Sequence, residues 1–467
     1  MKRIKKTVSA VIASVLTLLA AASWATIQPN PLFSDGVVLQ RDMSVPVWGT
    51  ASDGERVTVT IQNQSVSTEA SGGKWIVRLN PLREGGPYTI KINDLTIENV
   101  MVGEVWICSG QSNMEMSLQS VANASEAIAA SKDPMLRLFH VRRTISKTPL
   151  YSASGLSWQE SAPESTPDFS AVGYFFAKEL RKSLDVPVGI IESAWGGTDA
   201  ESWTSRDALL GNPDFHPILV ESDTAPFNGE PNHACLTYNG MIAPLQPYAM
   251  RGVIWYQGEN NASRAMQYRT LFPTLIGSWR KAWGQGNFPF YFVQLAPFGS
   301  TAEESQMSTW AELREAQLLT SKNCQGTAMA VITDVGDRTD IHPRQKEPVG
   351  YRLALAAEAL TYSKHVVYNG PIYKSMSVKS GKAIVLFDNT SGGLVAKDGE
   401  LKGFTIAGEN GKFYNAEARI VGNNVEVMSP EVPKPVAVRY GWADCPVVNL
   451  FNGFGLPASP FRTDCPK

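Results

Sequence analysis

Between about residues 101 and 365, short apolar runs alternate with segments whose apolar residues recur at helical spacing. Runs at 186–191, 252–256, 288–295 and 327–333 read as buried strands, and 174–184, 268–283, 308–321 and 347–362 as amphipathic helices. This rhythm predicts an α/β unit with a largely parallel sheet covered by helices on both faces. Such sheets carry their sites at the carboxyl ends of the strands. On either side the pattern is β. Residues 26–100 hold short β-rich runs separated by turn segments such as Asp53-Gly54-Glu55 and Gly85-Gly86-Pro87, which predicts a small β-sandwich. Residues 366–467 return to β-rich runs such as 383–387 and 437–440, either a second sandwich or a continuation of the first. The stretch 198–250, rich in Pro, Asn, Asp and Trp, breaks the alternation and is expected to form long loops over the site.

The first 25 residues stand apart. Lys2, Arg3, Lys5 and Lys6 precede an uncharged apolar stretch over 8–22, and Ser23-Trp24-Ala25 offers small residues for cleavage. This is the pattern of a secretory signal peptide, with a retained membrane anchor as the alternative, and it predicts export to the periplasm or the medium. Losing its four cations takes the formal charge from −2 to −6. A mildly acidic protein has no electrostatic reason to hold nucleic acid or an anionic membrane. Among five cysteines, Cys445 and Cys465 are the expected disulfide, and Cys108 a buried thiol. The histidines are scattered and no C-x-x-C occurs, so neither a structural zinc nor another metal is expected.

Ser112 follows the apolar run 100–107 inside Gly110-Gln111-Ser112-Asn113-Met114. A serine after a strand commonly caps a helix, but here Gly110 permits tight geometry while Gln111 and Asn113 crowd amides about the hydroxyl. The segment is not a G-x-S-x-G elbow. It is answered 230 positions later by Asp340-Ile341-His342-Pro343, where a loop histidine with a nearby carboxylate supplies a base and its orienter. Asp337 and Asp334 lie in the same loop and compete with Asp340 for that role. Backbone N–H groups of Gly196 and Gly197 can face a developing oxyanion, as can the amide of Gln257 or Asn260, which lies beyond the strand 252–256. Glu259 reads as a loop-organising carboxylate.

Taken in order, Gly110-Gln111-Ser112-Asn113-Met114, Trp195-Gly196-Gly197-Thr198, Trp255-Tyr256-Gln257-Gly258-Glu259 and Asp340-Ile341-His342-Pro343 resemble the sialate O-acetylesterase family of the SGNH-hydrolase superfamily. The resemblance extends to Tyr440-Gly441-Trp442-Ala443-Asp444 and to the run 455–463, and so over nearly the whole chain beyond residue 25. It implies a flavodoxin-like domain over 101–365 without metal or organic cofactor. Ser112 would be the nucleophile, His342 the base and Asp340 its orienter. The oxyanion donors would come from the Ser112 backbone, from Gly196 or Gly197, and from Asn260 or Gln257. The spacing of Asp340 and His342 departs from the superfamily's usual Asp-x-x-His.

The expected reaction is hydrolysis of O-acetyl esters on sugars, most directly on O-acetylated sialic acid, through an acetyl-serine intermediate. Acetylated plant polysaccharide such as acetylxylan is the alternative substrate, and a non-catalytic carbohydrate-binding protein the alternative class. Trp195, Trp203, Trp255 and Trp310 are expected to line a sugar pocket, and Arg206, Arg264, Arg338 and Arg344 are available to meet a substrate carboxylate.

Overall fold

The structure, a computed structural model, describes residues 27–155, 157–301 and 307–464. The expected signal peptide and the Cys445–Cys465 pairing involve residues outside that set. At the centre is a sheet whose strands are numbered here in chain order: β1 (Leu95–Gly110), β2 (Asp133–His140), β3 (Gln159–Ser161), β4 (Val188–Ala194), β5 (Gly252–Tyr256), β6 (Phe290–Val293) and β7 (Thr327–Ala330). Their spatial order is β3-β2-β4-β1-β5-β6-β7, parallel throughout except for the antiparallel edge strand β3. The chain builds outward from β1 to one side, returns, and builds outward on the other. That reversal leaves a crevice at the carboxyl end of β1, where open α/β sheets take their ligands.

The strands β4, β5 and β6 are buried along their whole length, as the continuous apolar runs require of strands covered on both faces. The cover comes from two helix pairs: α1 (Ala171–Leu184) with α4 (Glu347–Leu360), and α2 (Ala265–Trp283) with α3 (Thr309–Asn323). Ser170 caps α1 by accepting the Gly173 N–H at 3.0 Å, and Asp185 in the left-handed conformation ends it. Gly350 lets α1 and α4 touch, because a Cβ there would lie 2.6 Å from that of Phe175.

β1 is the structural spine. Its first half pairs with the N-terminal strands Val38–Gln40 and Gly85–Ile92, and its second half with β4 and β5. The seam expected at 100/101 therefore falls inside one 16-residue strand, and the N-terminal β region shares a single apolar core with the α/β unit. Fully buried Glu104, in mid-strand, ties the parts together. Its carboxylate accepts from Arg41 at 2.7 Å, Arg251 at 2.7 Å, Gln40 at 3.0 Å and the Tyr362 hydroxyl at 3.0 Å. Burial opposes its charge, but the hydrogen bonds and charges of Arg251 and Arg41 outweigh this and hold the carboxyl below its ordinary range.

The C-terminal region forms its own sheets, among them Ile372–Lys379, Lys382–Asp388, Asn424–Met428 and Glu417–Val421 in that spatial order. It has its own core around Val385, Ile406, Val438 and Phe461. The stretch 198–250 is less bare than expected, since it contains the helices Arg206–Leu210 and His216–Thr224. Among the described residues no helix is long and apolar enough to cross a membrane.

Candidate active site

At the carboxyl end of β1 the chain turns through Gly110, whose φ of 137° and whose neighbour Tyr256 leave no room for a side chain: a Cβ would lie 2.1 Å from the Tyr256 carbonyl oxygen. Ser112 then opens the short helix Ser112–Glu115, so its N–H belongs to a first turn that has no intrahelical acceptor. Its Oγ lies 2.8 Å from Nε2 of His342, which sits in the loop after β7.

The three loop aspartates are placed differently. Asp334 forms a two-pronged ion pair with Arg352, at 2.6 and 2.7 Å. Asp337 accepts the N–H groups of Thr339 and Asp340 and the Thr339 hydroxyl, which holds its carboxyl below the usual range. Asp340 alone faces the imidazole: its Oδ1 takes the His342 backbone N–H at 2.8 Å and lies 3.8 Å from Nδ1. It fixes the loop more closely than it fixes the ring.

Of the expected oxyanion donors, Gly196 lies against the Ser112 side chain, but its N–H donates to Glu115 Oε2 at 2.8 Å. Gly197, with φ 73°, has its carbonyl on the Asn232 amide. Gln257 is fully buried, and both hydrogens of its Nε2 are engaged, by the Thr198 carbonyl and by Asn261 Oδ1, while its Oε1 accepts from Tyr268. Its side chain therefore has no donor left for an oxyanion. Asn260 uses one amide hydrogen on Asp199 and retains the other. The less occupied amide is Gln111, beside Ser112. Its Oε1 accepts from the N–H groups of Gly258 and Asn260, and its Nε2 has no acceptor among the described residues.

Beneath the site lies a buried polar knot that spacing alone did not reveal. Asn113 donates to Glu259 Oε1 at 2.6 Å and to the Ile341 carbonyl at 2.9 Å, and accepts from Lys346 Nζ. It thus joins the residue after the serine to the residue before the histidine. Burial pushes Lys346 down to about 7, partly offset by Glu259 and Asp340, and pushes the Glu259 carboxyl up.

A cleft of about 570 Å³ opens beside Ser112, with Glu115, His140, Arg142, Arg143, Asp168 and Glu192 on its walls. Burial raises Glu192 to about 8 and lowers His140, whose Nδ1 lies 3.5 Å from the Glu192 carboxyl. Of the four tryptophans expected at the site, Trp203 and Trp255 are instead packed edge to face in the core, with ring centres 6.1 Å apart. Trp310 is anchored on the Ala296 carbonyl, while Trp195 lies within reach of the cleft, under the Arg143 guanidinium. Of the expected arginines three are engaged elsewhere, Arg206 with Asp223, Arg264 with Glu201 and Arg344 on the Ser120 carbonyl, while Arg338 is exposed with no side-chain partner among the described residues.

Comparison with known proteins bears on this arrangement. The family model described as carbohydrate esterase, sialic acid-specific acetylesterase, matches residues 102–358. Sialate O-acetylesterase of Rattus norvegicus is 32% identical over 407 residues, covering 73% of this chain and 75% of its own. The Homo sapiens sialate O-acetylesterase is 29% identical over 486 residues, covering 92% and 91%. Among solved structures, a carbohydrate acetylesterase from Xanthomonas citri superposes with a TM-score of 0.87 at 41% identity, over 94% of this chain and 100% of its own.

Proposed function

This chain belongs to the sialic acid-specific acetylesterase family of carbohydrate esterases, and on that premise we propose that Ser112 and His342 carry the hydrolysis of O-acetyl esters on sugars, with O-acetylated sialic acid as substrate. The observation that carries the assignment of roles is the 2.8 Å contact between Ser112 Oγ and His342 Nε2. Nε2 takes the hydroxyl proton as Oγ attacks the acetyl carbonyl. The tetrahedral oxyanion is met by the Ser112 N–H, by the amides of Gln111 and Asn260, and by the glycine pair Gly196-Gly197, where Glu115 competes for the Gly196 N–H. His342 returns the proton to the sugar oxygen as it leaves. Water, activated by the same imidazole, then cleaves the acetyl-serine and releases acetate. Asp340 holds the histidine loop and stabilises the imidazolium. Proton transfer of this kind contributes about 10²–10⁴ in rate.

The same reading makes residues 101–365 an SGNH esterase unit. Strands β4, β1, β5, β6 and β7 give the flavodoxin-like core, with β2 and β3 as an insertion between β1 and β4. The cationic and apolar pattern of residues 1–25 supports export to the periplasm or the medium after their removal, with 26–100 and 366–467 as flanking β regions.

The test is acetate release by purified protein and its Ser112→Ala variant, from 9-O-acetylated sialic acid and from acetylated xylo-oligosaccharide. Ser112-dependent release from the sialic acid is expected. Release from xylo-oligosaccharide alone would move the substrate to plant polysaccharide. No release from either by a folded protein would overturn the reading.

A further inference from the structure

The cleft beside Ser112 holds two consecutive guanidiniums, and the ion pairs around them are uneven. Glu115 is answered by Arg143, whose Nε and Nη2 both reach its Oε1, at 2.7 and 2.6 Å. Asp168 accepts the Gln119 amide. Burial raises the Glu192 carboxyl to about 8 and lowers the pKa of His140, so both shifts favour the neutral forms. Glu115 and Asp168 thus each have a donor of their own. Arg142, exposed on the same wall, has no ion pair or side-chain hydrogen bond among the described residues. Arg143 remains half exposed, with its guanidinium 5.5 Å from the centre of the Trp195 ring and one edge free.

We propose that Arg142 and Arg143 form a carboxylate subsite beside Ser112, which reads the anionic group of an O-acetylated sugar acid while its ester lies at the serine. The inference rests on the acetylesterase reading given above. A planar guanidinium matches a carboxylate with two parallel hydrogen bonds, and such charge-assisted pairs are stronger than neutral ones. A neutral sugar offers a guanidinium only hydroxyl oxygens, without the charge that strengthens the pair. The Trp195 face suits the apolar side of a pyranose ring, and it holds Arg143 at the height of that ring. Glu192 stands at the back of the wall with its Oε1 buried and without a partner, and with its carboxyl raised towards the neutral form it does not repel the substrate's charge.

The experiment compares kcat/KM on O-acetylated sialic acid with that on its carboxyl methyl ester, in which a small methyl cap replaces the charge. Acetylated galacturonan oligosaccharide serves as a second sugar acid and acetylated xylo-oligosaccharide as a neutral control. The free acid is expected to exceed the ester by about 10–100-fold, mostly through KM, as befits hydrogen bonds to a charged group. Added salt should shrink the ratio. Arg142→Met and Arg143→Met should bring it close to one, and the Lys variants should keep part of it. A preference for galacturonan would keep the subsite and change the sugar. Equal turnover of acid and ester by the unmodified enzyme, or a ratio that survives in both Met variants, would overturn the proposal. Absence of Ser112-dependent acetate release from every substrate would instead count against the acetylesterase reading itself.

Discussion

The Glu115 carboxylate accepts the Gly196 N–H at 2.8 Å while its other oxygen is held by Arg143. A negative group thus stands on the amide of a glycine packed against the Ser112 side chain, near where negative charge would develop during acyl transfer. Like charges about 4 Å apart repel by about 4 kcal/mol at a protein-surface dielectric. Glu115→Gln, which keeps the shape and removes the charge, is therefore expected to raise kcat on 4-nitrophenyl acetate by about tenfold, within the range a single oxyanion donor is worth. An unchanged or lower kcat would show that Glu115 positions Gly196 rather than competing for its amide.

The placement of the loop aspartates predicts a graded series on the same ester. Ser112→Ala and His342→Ala should each lose at least about 10³-fold in kcat. Asp340→Asn should lose less, about 10²-fold, because its carboxylate is 3.8 Å from the ring and half exposed. Asp337→Asn should change kcat by less than about threefold, since that side chain only caps its own turn. A loss at Asp337 matching that at Asp340 would reassign the orienter.

Asn113 is the one neutral link among Glu259, Lys346 and the histidine loop. Asn113→Ala strands a buried cation and a buried carboxyl together, and should cost about 2–4 kcal/mol of stability. Urea unfolding would show this as a lower midpoint at unchanged slope. Because the residues share one network, Asn113→Ala with Lys346→Met should be less damaging than the sum of the two. Strict additivity would mean that the knot does not act as a unit.

Glu192 gives a pH signature. Its carboxyl is raised from 4.5 to about 8 by burial, against the Ser170 N–H that favours the charged form. Between those values the folded protein keeps a proton that the unfolded chain has lost, so stability falls with rising pH by up to about 1.4 kcal/mol per unit. Neighbouring His140, with its lowered pKa, works in the opposite sense below about its ordinary 6.5. Glu192→Gln removes only the first effect. Its unfolding midpoint should match that of the parent near pH 4.5 and exceed it increasingly towards pH 8. Parallel curves over that range would exclude a buried neutral carboxyl.

The sequence was most readable where burial is two-sided. The run 252–256 is a strand over those same residues, because a short apolar stretch between turn signals has few other uses. Strand β2 escaped notice because Asp133, Pro134, Arg137 and His140 interrupt it. Arg137 is buried there only because the Pro134 carbonyl, Asn99 and Glu160 engage its guanidinium, and a linear pattern does not display such partners. Gln257 and the tryptophans show the converse. Gln257 and Trp203 became core once their donors found internal acceptors, as when Trp203 Nε1 reached the Thr198 hydroxyl, whereas Trp255 is buried by ring packing with its Nε1 unpartnered among the described residues. Arg142 and Arg143 carried no local signal, since their meaning depends on where β2 delivers them relative to Ser112.

The length of β1 has a consequence for how this protein can be altered. The Ser112 turn and the N-terminal layer adjoin opposite ends of one strand, so a one-residue slip in the pairing of Val38–Gln40 with β1 would be transmitted to Gly110 and turn Ser112 away from His342. The N-terminal region cannot be treated as a detachable appendage. A graft that begins at residue 101 would start in mid-strand, shed the partners that set its register, and leave Glu104 without Arg41. Exchange of parts between such enzymes should therefore succeed at the C-terminal sheets, which keep a core of their own, and fail at the amino-terminal layer.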